Sequence, residues 1–161
     1  MIVRSVCRAI RLTMKAEMLP LPTKEQWESI AAGFERKANF PHCLGAVDGK
    51  HIRLVCPFKS GSMYYNYKQY FSVVLMAIAD SEYRFVYVDI GSYGKDCDSS
   101  VFQRSRLWRS IENENIELPT EKCLPGAMGP QLPHVFIADE AFGLHRNLLR
   151  PLTFKFNLTL S

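Results

Sequence analysis

Several common chemical signatures are missing from this chain of 161 residues, and each gap closes off a class of function. The five cysteines (Cys7, Cys43, Cys56, Cys97, Cys123) are odd in number and no two have C-x-x-C spacing, which argues against a disulfide framework and a zinc knuckle and leaves buried or incidental thiols. Of the four histidines, His42 and its neighbour Cys43 fall on opposite strand faces, and His51, His134 and His145 have no partner at ligand spacing. A zinc centre is therefore not expected. Neither G-x-S-x-G nor G-x-x-x-x-G-K-S/T occurs, which removes the nucleophile-elbow hydrolases and the P-loop nucleotide hydrolases. No run approaches the roughly 18 apolar residues of a membrane helix. The opening MIVRSVCRAIRLTMK has a basic residue every three or four positions, unlike a signal peptide. An intracellular protein with no membrane partner is the expectation. There is no internal repeat and no low-complexity tract.

What remains is the composition of one globular domain, 47% hydrophobic and 22% charged, in a chain long enough for a real core. Its net charge of +4 is unevenly spread: Arg4, Arg8, Arg11 and Lys15 against Glu17 give +3 in residues 1 to 18, and the other 16 basic and 15 acidic residues give only +1. The nearly neutral body makes a weak case, by composition, for a nucleic-acid partner.

Residues 2 to 15 fit an amphipathic helix, with Ile2, Val6, Ala9 and Ile10 on one face and the four basic residues recurring at i, i+4, i+7 and i+11 on another. That basic stripe is either a solvated face of a helix packed on the body or a set of DNA phosphate contacts. After Leu19-Pro20-Leu21-Pro22, Thr23 and Gln26 read as a capping box. The helix it opens turns Trp27, Ile30, Ala31 and Phe34 inward and ends near 37 to 41. A strand is predicted over 44 to 55, then a tyrosine-rich link over 61 to 69, then strands over 71 to 79 and 83 to 90 joined by a short hairpin connection. Both later runs are apolar on both faces, which predicts a sheet covered on both sides. A helix after Asp98 lines up Val101, Phe102, Ser105 and Trp108. Residues 112 to 133, with four of the nine prolines, read as an exposed loop. A strand at 135 to 138 and a short helix at 144 to 149 follow.

Asp48, Asp89 and Asp139 each end or interrupt a strand, and Asp98 stands at a helix start. Carboxylates gathered at strand ends would bind Mg²⁺ or Mn²⁺, which prefer oxygen ligands. The same residues have plainer uses. Asp48-Gly49 is a common hairpin dipeptide, Asp98 a good N-cap, and Asp139-Glu140 a cap for a following helix. Spacing alone leaves both alternatives open.

The blocks FPHCLGAVDGKHIRL, SGSMYYNYKQYFSVVLMAIAD, YRFVYVDIGSYGKDCDSSVFQRS and VFIADEAFGLHRNLLRPL, in that order and with the W-x-x-I-A-x-G-F helix before them, resemble the DDE superfamily nucleases derived from PIF/Harbinger transposases. The resemblance implies an α/β, ribonuclease-H-like mixed sheet flanked by helices. It implies residues 1 to 40 as a helical segment packing on the core and 41 to 161 as the nuclease domain. It also implies metal-dependent cleavage of DNA phosphodiester bonds in the nucleus, through a divalent cation, Mg²⁺ or Mn²⁺. On the family pattern Asp48 matches the first catalytic, metal-binding acid and Asp139 the second, while Asp98 matches a supporting acid. Arg4, Arg8, Arg11 and Lys15 are candidate DNA contacts. In relatives, two metals about 4 Å apart activate a water and stabilise the leaving oxygen.

The match has departures. Relatives continue past the R-P block into a longer segment and a helix that carries the third acid, a glutamate. Here Phe156 to Ser161 resembles only the start of that run, so the domain is expected to lack its last helix. A site short of one ligand binds metal weakly, which leaves two expectations: an enzyme by family, or an inactive, domesticated module binding DNA or a separate nuclear DNA-binding partner protein.

Overall fold

The structure, a computed structural model, describes residues 2 to 151. Helix α1 (Ile2–Met18) and helix α2 (Lys24–Ala38) precede the strands β1 (Cys43–Arg53), β2 (Ser72–Ala79) and β3 (Phe85–Tyr93); α3 (Asp98–Arg104), α4 (Arg106–Glu112), β4 (Val135–Ile137) and β5 (Leu148–Leu149) complete the order. The sheet runs β3-β2-β1-β4-β5. The first three strands are antiparallel neighbours, and β4 and β5 add in parallel. This is a mixed five-stranded sheet flanked by helices, consistent with the expected ribonuclease-H-like arrangement.

Local chemistry explains most of the element boundaries. Thr23 and Gln26 form the predicted reciprocal capping box, and Asn39 ends α2 in the left-handed conformation. The apolar spacing of α2 buries Trp27, Ala31 and Phe34, and Trp27 meets Phe136 of β4 edge-on with ring centroids 5.7 Å apart. Turn 80 to 84 is tied by Asp80, whose Oδ1 accepts from the backbone N–H groups of Glu82 (2.8 Å) and Arg84 (2.9 Å). Along β2, Ser72, Val74, Met76 and Ile78 are buried while the alternate residues are half-buried. One face of β2 is thus covered more completely than the other.

Other sequence expectations change. Helix α1 forms with no residue of it buried, whereas α2 buries Trp27, Ala31, Gly33 and Phe34. The single helix after Asp98 is two. Ser105 takes an extended conformation and caps α4 by accepting from Trp108 N, while Val101, Phe102, Ser105 and Trp108 still line the buried side. The short helix expected at 144 to 149 is instead a turn leading into β5. There the backbone of Asn147 and Leu149 accepts hydrogen bonds from Phe136 and Ala138, and this pairing with β4 outweighs local helix preference. The start of the run at Phe156 lies outside the described residues.

Candidate metal centre

Asp48 and Asp139 come together through strand register. Strands β1 and β4 are parallel neighbours with Ala46 beside Ile137. Two residues further on lie Asp48, within β1, and Asp139, just past the end of β4. Both line one cleft of about 720 Å³, together with Ala46, Ile137, Leu149 and Arg150. Asp48-Gly49 is not a hairpin tip: Asp48 lies opposite Ala77 and Gly49 opposite Met76 in a continuous β1–β2 ladder. Asp48 Oδ1 accepts from Gly49 N at 2.7 Å. Asp139 closes a tight turn, its Oδ1 accepting from Ala141 N at 2.9 Å. Asp139 caps no helix.

Asp98 reaches the same region from the other side of β1. It was expected as an N-cap, but Cys97 holds that position without a side-chain cap bond, and Asp98 is the first residue of α3. Its carboxylate is free to lie against Gly49, where any Cβ would collide with it. Only glycine admits so close an approach. One carboxylate oxygen, Oδ1, is buried with no hydrogen-bond partner among the described residues. Burial raises the carboxyl above its ordinary pKa; His51 opposes the rise, the charges of Asp48 and Asp139 add to it, and Lys68 opposes it. Strand alternation turns Asp48 to the face opposite the one that Gly49 offers to Asp98. That explains why, among the described residues, no three acidic, histidine or cysteine side chains stand at metal-holding spacing.

Other residues take part that sequence patterns did not mark. The guanidinium of Arg150 donates to the carbonyls of Glu140 (3.0 Å) and Phe142 (3.2 Å) and so pins the turn that Asp139 opens. Its only sequence signal was its place in the R-P block. Asp89, noted as a strand-end acid, sits within edge strand β3, with β2 between it and β1. Arg4, Arg8, Arg11 and Lys15 are exposed on α1 and are not among the residues lining the cleft. No helix among the described residues is long and apolar enough to cross a membrane.

Residues 47–159 match the family described as DDE superfamily endonuclease, a range that contains Asp48, Asp98 and Asp139. A curated relative, Protein ALP1-like of Arabidopsis thaliana, is 30% identical over 126 residues, covering 77% of this chain and 30% of the relative. The chain therefore spans less than a third of that relative's length. No solved structure matches the chain. With the match covering most of the domain and all three acids, the chain belongs to the DDE superfamily endonucleases, the family whose Harbinger-type members its sequence blocks resemble.

Proposed function

We propose that the domain cleaves DNA phosphodiester bonds with a divalent cation, Mg²⁺ or Mn²⁺, held by Asp48 and Asp139. The observation that carries this reading is the placement of two carboxylates, Asp48 within β1 and Asp139 just past the neighbouring β4, in the lining of one cleft. Two neighbouring anions repel, and hard oxygen donors of this kind are matched by a hard divalent cation. Asp98, across the strand, adds a third carboxyl group, and its buried Oδ1 has no hydrogen-bond partner among the described residues. A cation bound there would polarise the phosphate and lower the pKa of an attacking water. Asp48 and Asp139 hold the site, Arg150 fixes the turn that aims Asp139, and Asp98 supplies charge from behind Gly49. The expected nuclear location accompanies a DNA substrate, and a fluorescent fusion that stays outside the nucleus would remove that part.

The test is nicking of supercoiled DNA by the full chain in Mn²⁺. Asp48→Ala and Asp139→Ala are each expected to lower the rate by about 100-fold or more, since even outer-shell changes cost 10–100-fold. Retention of the wild-type rate by Asp48→Ala would sink the assignment.

A second reading is favoured by the absence of a three-residue metal cluster among the described residues: a non-catalytic module that binds DNA or a nuclear DNA-binding partner protein. Calorimetry separates the two. Heat on Mn²⁺ addition that vanishes in Asp48→Ala supports the nuclease, and no heat together with no nicking supports the module.

A further inference from the structure

Next to Asp98 the chain builds a surface that the carboxylate cleft does not use. The tyrosine-rich stretch, read from sequence as a link, is a tightly organised turn. Asn66 is buried, and its Oδ1 accepts from the backbone N–H groups of Lys68 (2.9 Å) and Tyr70 (3.2 Å). Its Nδ2 donates to Ser72 Oγ at 2.9 Å, and the same hydroxyl meets His51 Nδ1 at 2.9 Å. Backbone bonds from Asn66 N to Tyr70 O (2.9 Å) and from Gln69 N to Asn66 O (3.0 Å) close the turn.

This scaffold holds Tyr67 out into solvent, 78% exposed, with its ring edge-on to His51 at 5.6 Å between centroids. The Lys68 ammonium lies 5.3 Å from the Tyr67 ring centroid, and the Arg53 guanidinium lies 4.4 Å from that of Tyr70. His51 and Lys68 are also the two groups that oppose the rise in the Asp98 pKa, so the turn borders the acidic site. A large ring left in water but fixed in place has lost its freedom before any ligand arrives, which favours binding. Flanking cations fit a phosphate backbone. A duplex hides its base faces in the stack, whereas an unpaired base presents one to an aromatic ring.

We propose that the Tyr67 turn is a stacking subsite for an unpaired base of a DNA strand, with Tyr67 as the platform and Lys68 and Arg53 as phosphate contacts. That this strand is the one to be cut rests on the nuclease reading above; the stacking does not. The turn then orders the strand beside Asp98 and gives the domain a preference for frayed or single-stranded ends.

The experiment is fluorescence anisotropy of the full chain with a labelled oligo-dT of about 15 nucleotides, within the usual site sizes, and with a blunt duplex of equal length. EDTA is present so that no cleavage intervenes. The single strand is expected to bind more tightly than the duplex. Tyr67→Ala weakens single-strand binding about tenfold with an unchanged melting temperature, Tyr67→Phe keeps it, and Lys68→Ala lowers the salt slope by about one. Equal single-strand affinity of Tyr67→Ala and wild type overturns the proposal, as does a preference for duplex. Because the readout excludes cleavage, a chain that fails to nick DNA but shows Tyr67-dependent binding loses only the nuclease reading. A chain that nicks DNA without Tyr67 dependence loses only the stacking subsite.

Discussion

Strand β1 has a pair-forming histidine near each end, and the two are treated in opposite ways. At the far end His51 belongs to a polar cluster in which His51 Nδ1, Ser72 Oγ and both polar atoms of the Asn66 side chain have partners. At the near end His42 stacks on His134, ring centroids 4.5 Å apart and 19° from parallel, and neither Nδ1 has a hydrogen-bond partner among the described residues. Buried polar groups are normally satisfied, because leaving one unpaired costs about 1–3 kcal/mol. The far cluster therefore acts as a fixed scaffold. In the near stack, burial pushes the His134 imidazole below its ordinary pKa and so disfavours a charge on it. Between them, Asp98 over Gly49 resembles the near end: it is half-buried, its Oδ1 is buried without a hydrogen-bond partner among the described residues, and it is charged in its ordinary form.

The comparison is broken most sharply at Asn66. Asn66→Ala removes three side-chain bonds at once and leaves the backbone N–H groups of Lys68 and Tyr70 without their acceptor. Destabilisation of about 3 kcal/mol is expected, read as a lower urea midpoint, with loss of the fixed Tyr67 position. If the variant melts like wild type, the turn is not the scaffold described.

A smaller effect is expected at Gly49, because there the crowding is relieved by moving one side chain. Gly49→Ala places a methyl where the Asp98 carboxylate lies. The expected cost is about 2 kcal/mol, in the range for overpacking. The double variant Gly49→Ala with Asp98→Ala should recover most of it, since the cavity and the methyl compensate. Additive losses in that double-mutant cycle would show that the two residues do not touch.

Much of this was legible in the sequence, and the reasons are local. The capping box at Thr23 and the apolar face of α2 depend on neighbours within a few residues. The closeness of Asp48 and Asp139 was not legible from spacing, since it arises from the parallel register of two strands 91 residues apart in numbering at that point; the family resemblance supplied it. What escaped was set by distant contacts. Residues 144 to 149 have an apolar helical look, but β4 takes their backbone into the sheet. The tyrosine-rich stretch looked like a link because the partner that organises it, Ser72 with His51 behind it, lies on two different strands. Asp98 looked like a cap because its closeness to Gly49 exists only after α3 folds onto β1.

The mildest expected effect lies at the near end of β1 and is read through pH. Burial, then the neighbouring His42 and Lys122, push the His134 imidazole down to about 4, against a small opposing effect of Glu28. The folded chain therefore prefers neutral His134, while the unfolded chain takes up a proton near the ordinary value of about 6.5. Between these two values the unfolded state binds more protons, so stability rises with pH. The contribution is fully present above about pH 6.5 and is lost as pH falls toward 4. A loss on the order of 1 kcal/mol is expected from this residue between pH 7 and pH 4.5, measured by urea unfolding at each pH. His134→Phe keeps the stacked ring and removes the titration, so its stability should fall less over the same interval than that of wild type. An identical pH dependence in the two proteins would show that the near stack carries a charge without penalty, and the contrast between the two ends of β1 would then disappear.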